Sequence, residues 1–143
     1  MALSEHVRLR GALPRHQVVA SFREAADSVM PCVIADDGDR DGLPTVLIEA
    51  MALGTPCVGT DVTGIPEIVR DNETGLCVRS RDPVALANAL ERLLGDPDLR
   101  IRLAERGRAL IEAEFDVDRN AAKLRSLFGS GMQTMSEGLR AIG

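Results

Sequence analysis

The stretch on which the reading of this chain turns is DGLPTVLIEAMALGTP, Asp41–Pro56. Pro44 near its start and Gly54 near its end mark a helix over 44–53, since proline suits a first helical turn and glycine the position just past the last. Between Val46 and Leu53 every residue is apolar except Glu49. A carboxylate on a helix that is oily all round is costly unless paired and hydrogen-bonded. The positions three and four away are Thr45, Val46, Ala52 and Leu53, and none is cationic. The partner of Glu49 must come from elsewhere, either a basic residue across the fold or a ligand.

One turn earlier, Gly42 allows close approach to the backbone, and the amides of Leu43, Thr45 and Val46 are the unpaired donors of a helix start. Free N–H groups and the helix dipole together favour an anion such as phosphate there. Asp41 stands at this mouth, with Pro44 beside it. Eight residues separate it from Glu49, roughly 12 Å if all were helical. Two acids bracketing an anion site would hold a sugar at one end and a ribose at the other, with pyrophosphate between; a carboxylate is well suited to accept from vicinal ribose hydroxyls. The plainer alternatives remain open at this point. Asp41 as an N-cap or a solvated loop acid, and Glu49 paired with an arginine of the core, fit the spacing equally well.

Outward from this helix the chain alternates strand and helix. HVRLRG (6–11), SVMPCVIA (28–35), PCVGT (56–60) and LCV (76–78) read as strands, with Pro31 marking an end of the second. PRHQVVASFREA (14–25) reads as a helix on the spacing of Val18, Phe22 and Ala25, and IPEIVRD (65–71) as a short one. Further on, Asp82-Pro83, Asp96-Pro97 and Asp116 each open a helix by capping it. In the last of these, Val117, Ala121, Leu124 and Phe128 form a stripe. GSG (129–131) is expected to hinge to an amphipathic tail carrying Met132, Met135, Leu139 and Ile142. Short apolar strands between helices imply an α/β fold with a parallel sheet covered on both faces. About four strands can be found, fewer than the roughly six of a complete doubly wound nucleotide-binding sheet.

Composition narrows the function. The 143 residues carry a net charge of −5 and only 2% aromatics, with no Tyr or Trp. An acidic chain poor in stacking surfaces is not built for nucleic acid. Cys32, Cys57 and Cys77 each lie in an apolar run, an odd count that suits small buried hydrophobes in a reducing compartment rather than a disulfide frame or a metal site. No segment is long and apolar enough for a membrane span, and MALSEHVRLRG lacks the apolar core of a signal peptide. A soluble, cytoplasmic protein is expected. His6 and His16 read as exposed, Glu67 as a local helix-start acid, and Arg79 and Arg81 as loop residues; no nucleophile–base trio is visible.

Asp41-Gly42 and Glu49-Ala50 resemble the E-x7-E signature of the retaining glycosyltransferases of family 4, read here as D-x7-E. AADSVMPCVIA, GTPCVGTDVTGIPEIVRDNETGLCV, DPVALANALERLL and RGRALIEAEFDVDRNAAKL resemble the C-terminal nucleotide-sugar domain of that family, from about Val7 to Phe128. The family has the GT-B architecture, two facing Rossmann-like domains. The resemblance implies that Asp41 contacts the donor sugar and serves catalysis, that backbone around Gly42, Leu43 and Thr45 meets the sugar and diphosphate, and that Glu49 holds the ribose. The loop near Leu13 to Arg15 would border the base, and the loop 61–64 with Gly64 would lie at the same sheet edge. No cofactor and no metal are implied; the partner is a UDP- or GDP-sugar.

Two departures accompany the likeness. The first acid is Asp, one methylene shorter than Glu. The strands carrying the family's diphosphate-clamping Arg and Lys, and its N-terminal acceptor domain, do not appear in these residues; Arg10 and Arg15 do not match that motif in position. Residues 1–128 are thus expected to form a partial donor domain and 129–143 a hinge and helical tail. The isolated chain would transfer little sugar. The alternative is a non-catalytic module that forms a homodimer through an exposed sheet edge and the tail.

Overall fold

The structure, a computed structural model, describes residues 5–140, with side chains described to Phe128. Three short strands form one parallel sheet in the order β1 (Ser28–Met30), β2 (Cys57–Thr60), β3 (Leu76–Val78). Helix α1 (Arg15–Glu24) precedes β1; α2 (Thr45–Ala52) connects β1 to β2, and α3 (Ile65–Ile68) connects β2 to β3. After β3 come α4 (Pro83–Gly95), α5 (Pro97–Glu114) and α6 (Val117–Arg140).

Successive side chains of a strand point to opposite faces, and β2 divides the core accordingly. Cys57 joins Leu47, Met51, Ile65 and Ile68 on the face covered by α2 and α3. Val58 joins Leu76, Ala89 and Leu93 on the face covered by α4. The long α5 serves both layers, sending Leu99 and Leu103 to one cluster and Leu110 and Ile111 to the other. The core is aliphatic, as the composition requires. Close approach governs Gly75, where a Cβ would meet the Cys57 carbonyl oxygen and Val69 Cγ1, both at 2.7 Å. Asp82, Asp96 and Asp116 cap α4, α5 and α6 through their carboxylates, which accept from the backbone N–H groups of Ala85, Leu99 and Arg119 at 2.7–2.9 Å.

Several expectations are corrected. The segment 6–11 is not a strand: no ladder reaches it, Leu9 is 96% exposed, and Gly11 takes a left-handed φ of 63°. The sheet therefore has three strands among the described residues rather than four. β1 stops at Met30, because Pro31 has no N–H to continue the ladder. β1 pairs with β2 on one side and with nothing described on the other. Residues 129–131 continue α6 instead of breaking it; a helix tolerates an internal glycine at a cost of about 1 kcal/mol. The stripe on α6 is not core either, for Val117, Leu124 and Phe128 are all more than half exposed. Ile142 and the side chains of Met132, Met135 and Leu139 lie outside the described residues.

Candidate functional site at the carboxyl edge of the sheet

The three strands run the same way, so the connections that leave their carboxyl ends gather on one rim. The first is the long loop 31–44. Its turn is built locally: the Asp37 carboxylate accepts from Asp39 N–H at 3.0 Å, and Ala35 N–H donates to Asp39 O at 2.9 Å. Thr60, the last residue of β2, donates its hydroxyl to Cys32 O at 2.7 Å and so fixes the start of the loop. The second connection, 61–64, and the third, 79–82, flank it.

Asp41 and Gly42 are exposed on this rim, as is Thr45, while Leu43, Pro44 and Val46 are half-buried. Leu43 packs against the α2–α3 core cluster. The first turn of α2 follows, with Pro44 at the cap position and no side chain capping it. Asp41 is thus not an N-cap, and the mouth of α2 stays open to an anion. The Asp41 carboxylate lies 4.0 Å from Cys32 Sγ. Burial, and then this neighbouring acid, push the Cys32 thiol above its ordinary value. Because 41–44 is not helical, the separation of Asp41 and Glu49 is not the length of a regular helix.

Glu49 is placed differently from the expectation of a helix oily on all sides. α2 turns only Leu47, Ala50 and Met51 into the core. Glu49 lies on the opposite flank, its side chain 39% exposed, where desolvation costs little. Its carboxylate stands 3.6 Å from the Arg15 guanidinium at the start of α1, and that side chain is 81% exposed. Of the basic residues, the partner is therefore a surface arginine and not one of the core. Arg15, Val19, Glu49, Ala52 and Leu53 line an open groove of about 170 Å³ between α1 and α2.

A second cavity, about 210 Å³, opens where the strands end, lined by Pro31, Val33, Thr60, Arg79, Arg81 and Leu86 among others. Arg81 spans this rim: its guanidinium donates to Ile34 O at 2.7 Å and to the Asp36 carboxylate at 3.1 Å. On the other flank the Thr63 hydroxyl lies 2.5 Å from Asp41 O and 2.6 Å from Gly42 O, and Gly64 N–H donates to Gly42 O at 3.0 Å. Sequence reasoning missed Arg15, Thr63 and Arg81 in these roles, because each acts on a residue more than 20 positions away. Among the described residues no group of three or more His, Cys, Asp or Glu is disposed to hold a metal ion. His6 and His16 are exposed.

Residues 1–110 match the family described as Glycosyl transferases group 1. The putative colanic acid biosynthesis glycosyltransferase WcaL of Escherichia coli is 36% identical over 126 residues, 85% of this chain and 31% of that protein. A GDP-mannose-dependent alpha-(1-6)-phosphatidylinositol monomannoside mannosyltransferase of Mycobacterium tuberculosis is 34% identical over 123 residues, again 85% of this chain and 32% of the relative. The chain spans about a third of the length of these relatives. Among solved structures, the sucrose-phosphate synthase of Thermosynechococcus elongatus superposes with a TM-score of 0.76 at 32% identity, over 92% of this chain and 32% of that one.

Proposed function

This chain belongs to the group 1 glycosyl transferases, with a GT-B structural relative, and from that membership we propose that it is the donor-binding part of a retaining enzyme that moves a hexose from a nucleotide diphosphate. The observation that carries the reading is Glu49. Its carboxylate lines an open groove and, among the described residues, is held by one exposed arginine at 3.6 Å. Such a contact is weak enough to be exchanged for the two hydroxyls of a ribose. The uncapped mouth of α2, with the backbone of Gly42, Leu43, Pro44, Thr45 and Val46 around it, receives the diphosphate through N–H groups and the helix dipole. Asp41, on the exposed rim, accepts from hydroxyls of the transferred sugar.

In this reading the body 1–128 is the donor half, and 129–143 is a tail on its last helix. The chemistry assigned to these residues is positioning the donor and easing departure of the diphosphate by fixed dipoles, with no covalent step on this chain. Acceptor binding and further clamping of the diphosphate are not assigned to these residues. The GDP-mannose dependence of the mycobacterial relative supports a UDP- or GDP-sugar as ligand.

A second reading, a self-associating module, draws support from the outer edge of β1, which pairs with no strand among the described residues, and the exposed Leu124 and Phe128 of α6. Calorimetric titration with UDP, GDP, UDP-glucose and GDP-mannose, alongside sizing chromatography, separates the two. Saturable binding abolished by Glu49→Ala supports the donor half; a dimer blind to every nucleotide supports the module.

A further inference from the structure

Among the described residues other than glycine, three adopt a left-handed φ: Thr63 at 46°, Asn72 at 59° and Arg81 at 60°. Asparagine takes this conformation readily in a turn, but a β-branched threonine does not. Thr63 and Arg81 share a second property. Thr63 lies in the connection after β2 and Arg81 in that after β3, and both side chains reach back to the β1–α2 loop. Thr63 contacts the carbonyls of Asp41 and Gly42 at its far end, and Arg81 holds Ile34 and Asp36 near its start. Strained backbone persists where surrounding structure over-determines it, and it gathers at functional sites.

We infer that Thr63 and Arg81 are positioning residues that clamp the β1–α2 loop at both ends and so set where Asp41 and the mouth of α2 stand. This inference rests on the donor-binding reading for its purpose, though not for its geometry. One hydroxyl shared between two consecutive carbonyls fixes the peptide that joins Asp41 to Gly42. Gly64 completes the brace: its N–H binds Gly42 O, and a Cβ at that position would stand 3.1 Å from Leu43 Cβ and 3.3 Å from Gly42 O. The loops are therefore in direct contact, and a side chain at position 64 would require its neighbours to give by a few tenths of an ångström. Arg81 does the corresponding work through one terminal nitrogen, Nη2, which donates to the Ile34 carbonyl and to the Asp36 carboxylate.

The test uses the full chain with Thr63→Val, Thr63→Ser, Thr63→Gly and Arg81→Gln. Valine keeps the shape and loses the hydroxyl; serine keeps the hydroxyl; glycine relieves the strain and loses the hydroxyl. In the absence of ligand, Thr63→Val and Thr63→Gly should speed exchange of the Gly64 and Leu47 amides, which bond Gly42 O and Pro44 O, by roughly 3- to 10-fold, the worth of one hydrogen bond, while amides of α5 stay unchanged. Arg81→Gln should do the same across 34–39. Thr63→Ser should match the parent. With UDP-glucose and GDP-mannose as probes, Thr63→Gly should bind more weakly than the parent even though its backbone is relaxed. Unchanged exchange in Thr63→Val, or failure of serine to restore it, overturns the inference. If the parent chain binds neither nucleotide sugar, the functional reading fails, and the exchange measurements still decide the clamp.

Discussion

The Arg15 guanidinium stands 3.6 Å from the Glu49 carboxylate across the groove between α1 and α2, with both side chains open to water. An exposed pair of this kind contributes little to stability, about 0–1 kcal/mol. What it does is keep an acid oriented toward a groove without burying it. The pair is accordingly a minor contributor to folding, and the proposed donor site gives it a role in binding.

Glu49→Ala and Arg15→Ala should each leave the urea midpoint near that of the parent, within the equivalent of about 1 kcal/mol. Nucleotide-sugar binding should separate them. Losing the carboxylate should weaken it by roughly 10- to 100-fold, the worth of charge-assisted hydrogen bonds; losing the arginine should not. Equal losses in both variants would show that the pair acts as a unit.

Gly75→Ala should destabilise by about 1–3 kcal/mol, the cost of overpacking, because its Cβ would collide with the Cys57 carbonyl and Val69 at 2.7 Å. Gly95→Ala is the control. Nothing lies within 4 Å of a Cβ there, at the last residue of α4, so alanine should stabilise by roughly 0.4–1 kcal/mol through the unfolded state. Equilibrium denaturation in urea reads both.

Burial, with Asp27 as a smaller cause, pushes the Cys57 thiol from 9.0 up to about 12. The folded state therefore keeps its proton where the unfolded chain would release it. Stability linked to this group is complete below pH 9 and drains away as pH rises from about 9 toward about 12. At pH 8, a thiol reagent should modify half-buried Cys32 and Cys77 first. Cys57 should react only at the rate of unfolding, and prompt labelling of all three would contradict its placement in the sheet.

Asp27, at the entry to β1, is raised above 3.8 by burial, against a lesser lowering by Arg100. Its folded state holds the proton more tightly, so the associated stability is present below pH 3.8 and lost as pH climbs through the folded value. Asp27→Asn should therefore gain on the parent at pH 7, with the gain shrinking in acid. Thermal melts at pH 7 and pH 3 measure the difference; a gap that is the same at both would mean the carboxyl is not desolvated.

How much of this could be read from residues depends on the range over which each feature is decided. The three capped helices were legible because Asp82, Asp96 and Asp116 bond amides only three positions on. β2 was legible because it is buried on both faces and needs an unbroken apolar run. The segment 6–11 misled, since a short alternating run reads as a strand whether or not a neighbour exists to receive its hydrogen bonds. The α6 stripe misled for a related reason: periodicity identifies a face, and says nothing of what lies against it. Glu49 reads in sequence as lying on a helix buried all round, and the structure corrects that, because the run looks oily in one dimension while only Leu47, Ala50 and Met51 turn inward.

The order of residues alone settled the starts of α4, α5 and α6, the alternation of strand and helix from α1 to β3 and the aliphatic character of the core, all of which follow from caps, proline and hydrophobic spacing within a few positions. Only the closed fold decided that Arg15 meets Glu49, that Thr63 meets Asp41 and Gly42, and that Arg81 meets Asp36. Those contacts join residues 21 to 45 positions apart, and those of Thr63 and Arg81 meet at one rim because parallel strands deliver all their exits to the same side. Local preference carries no information about such meetings, since they exist only after the sheet has formed.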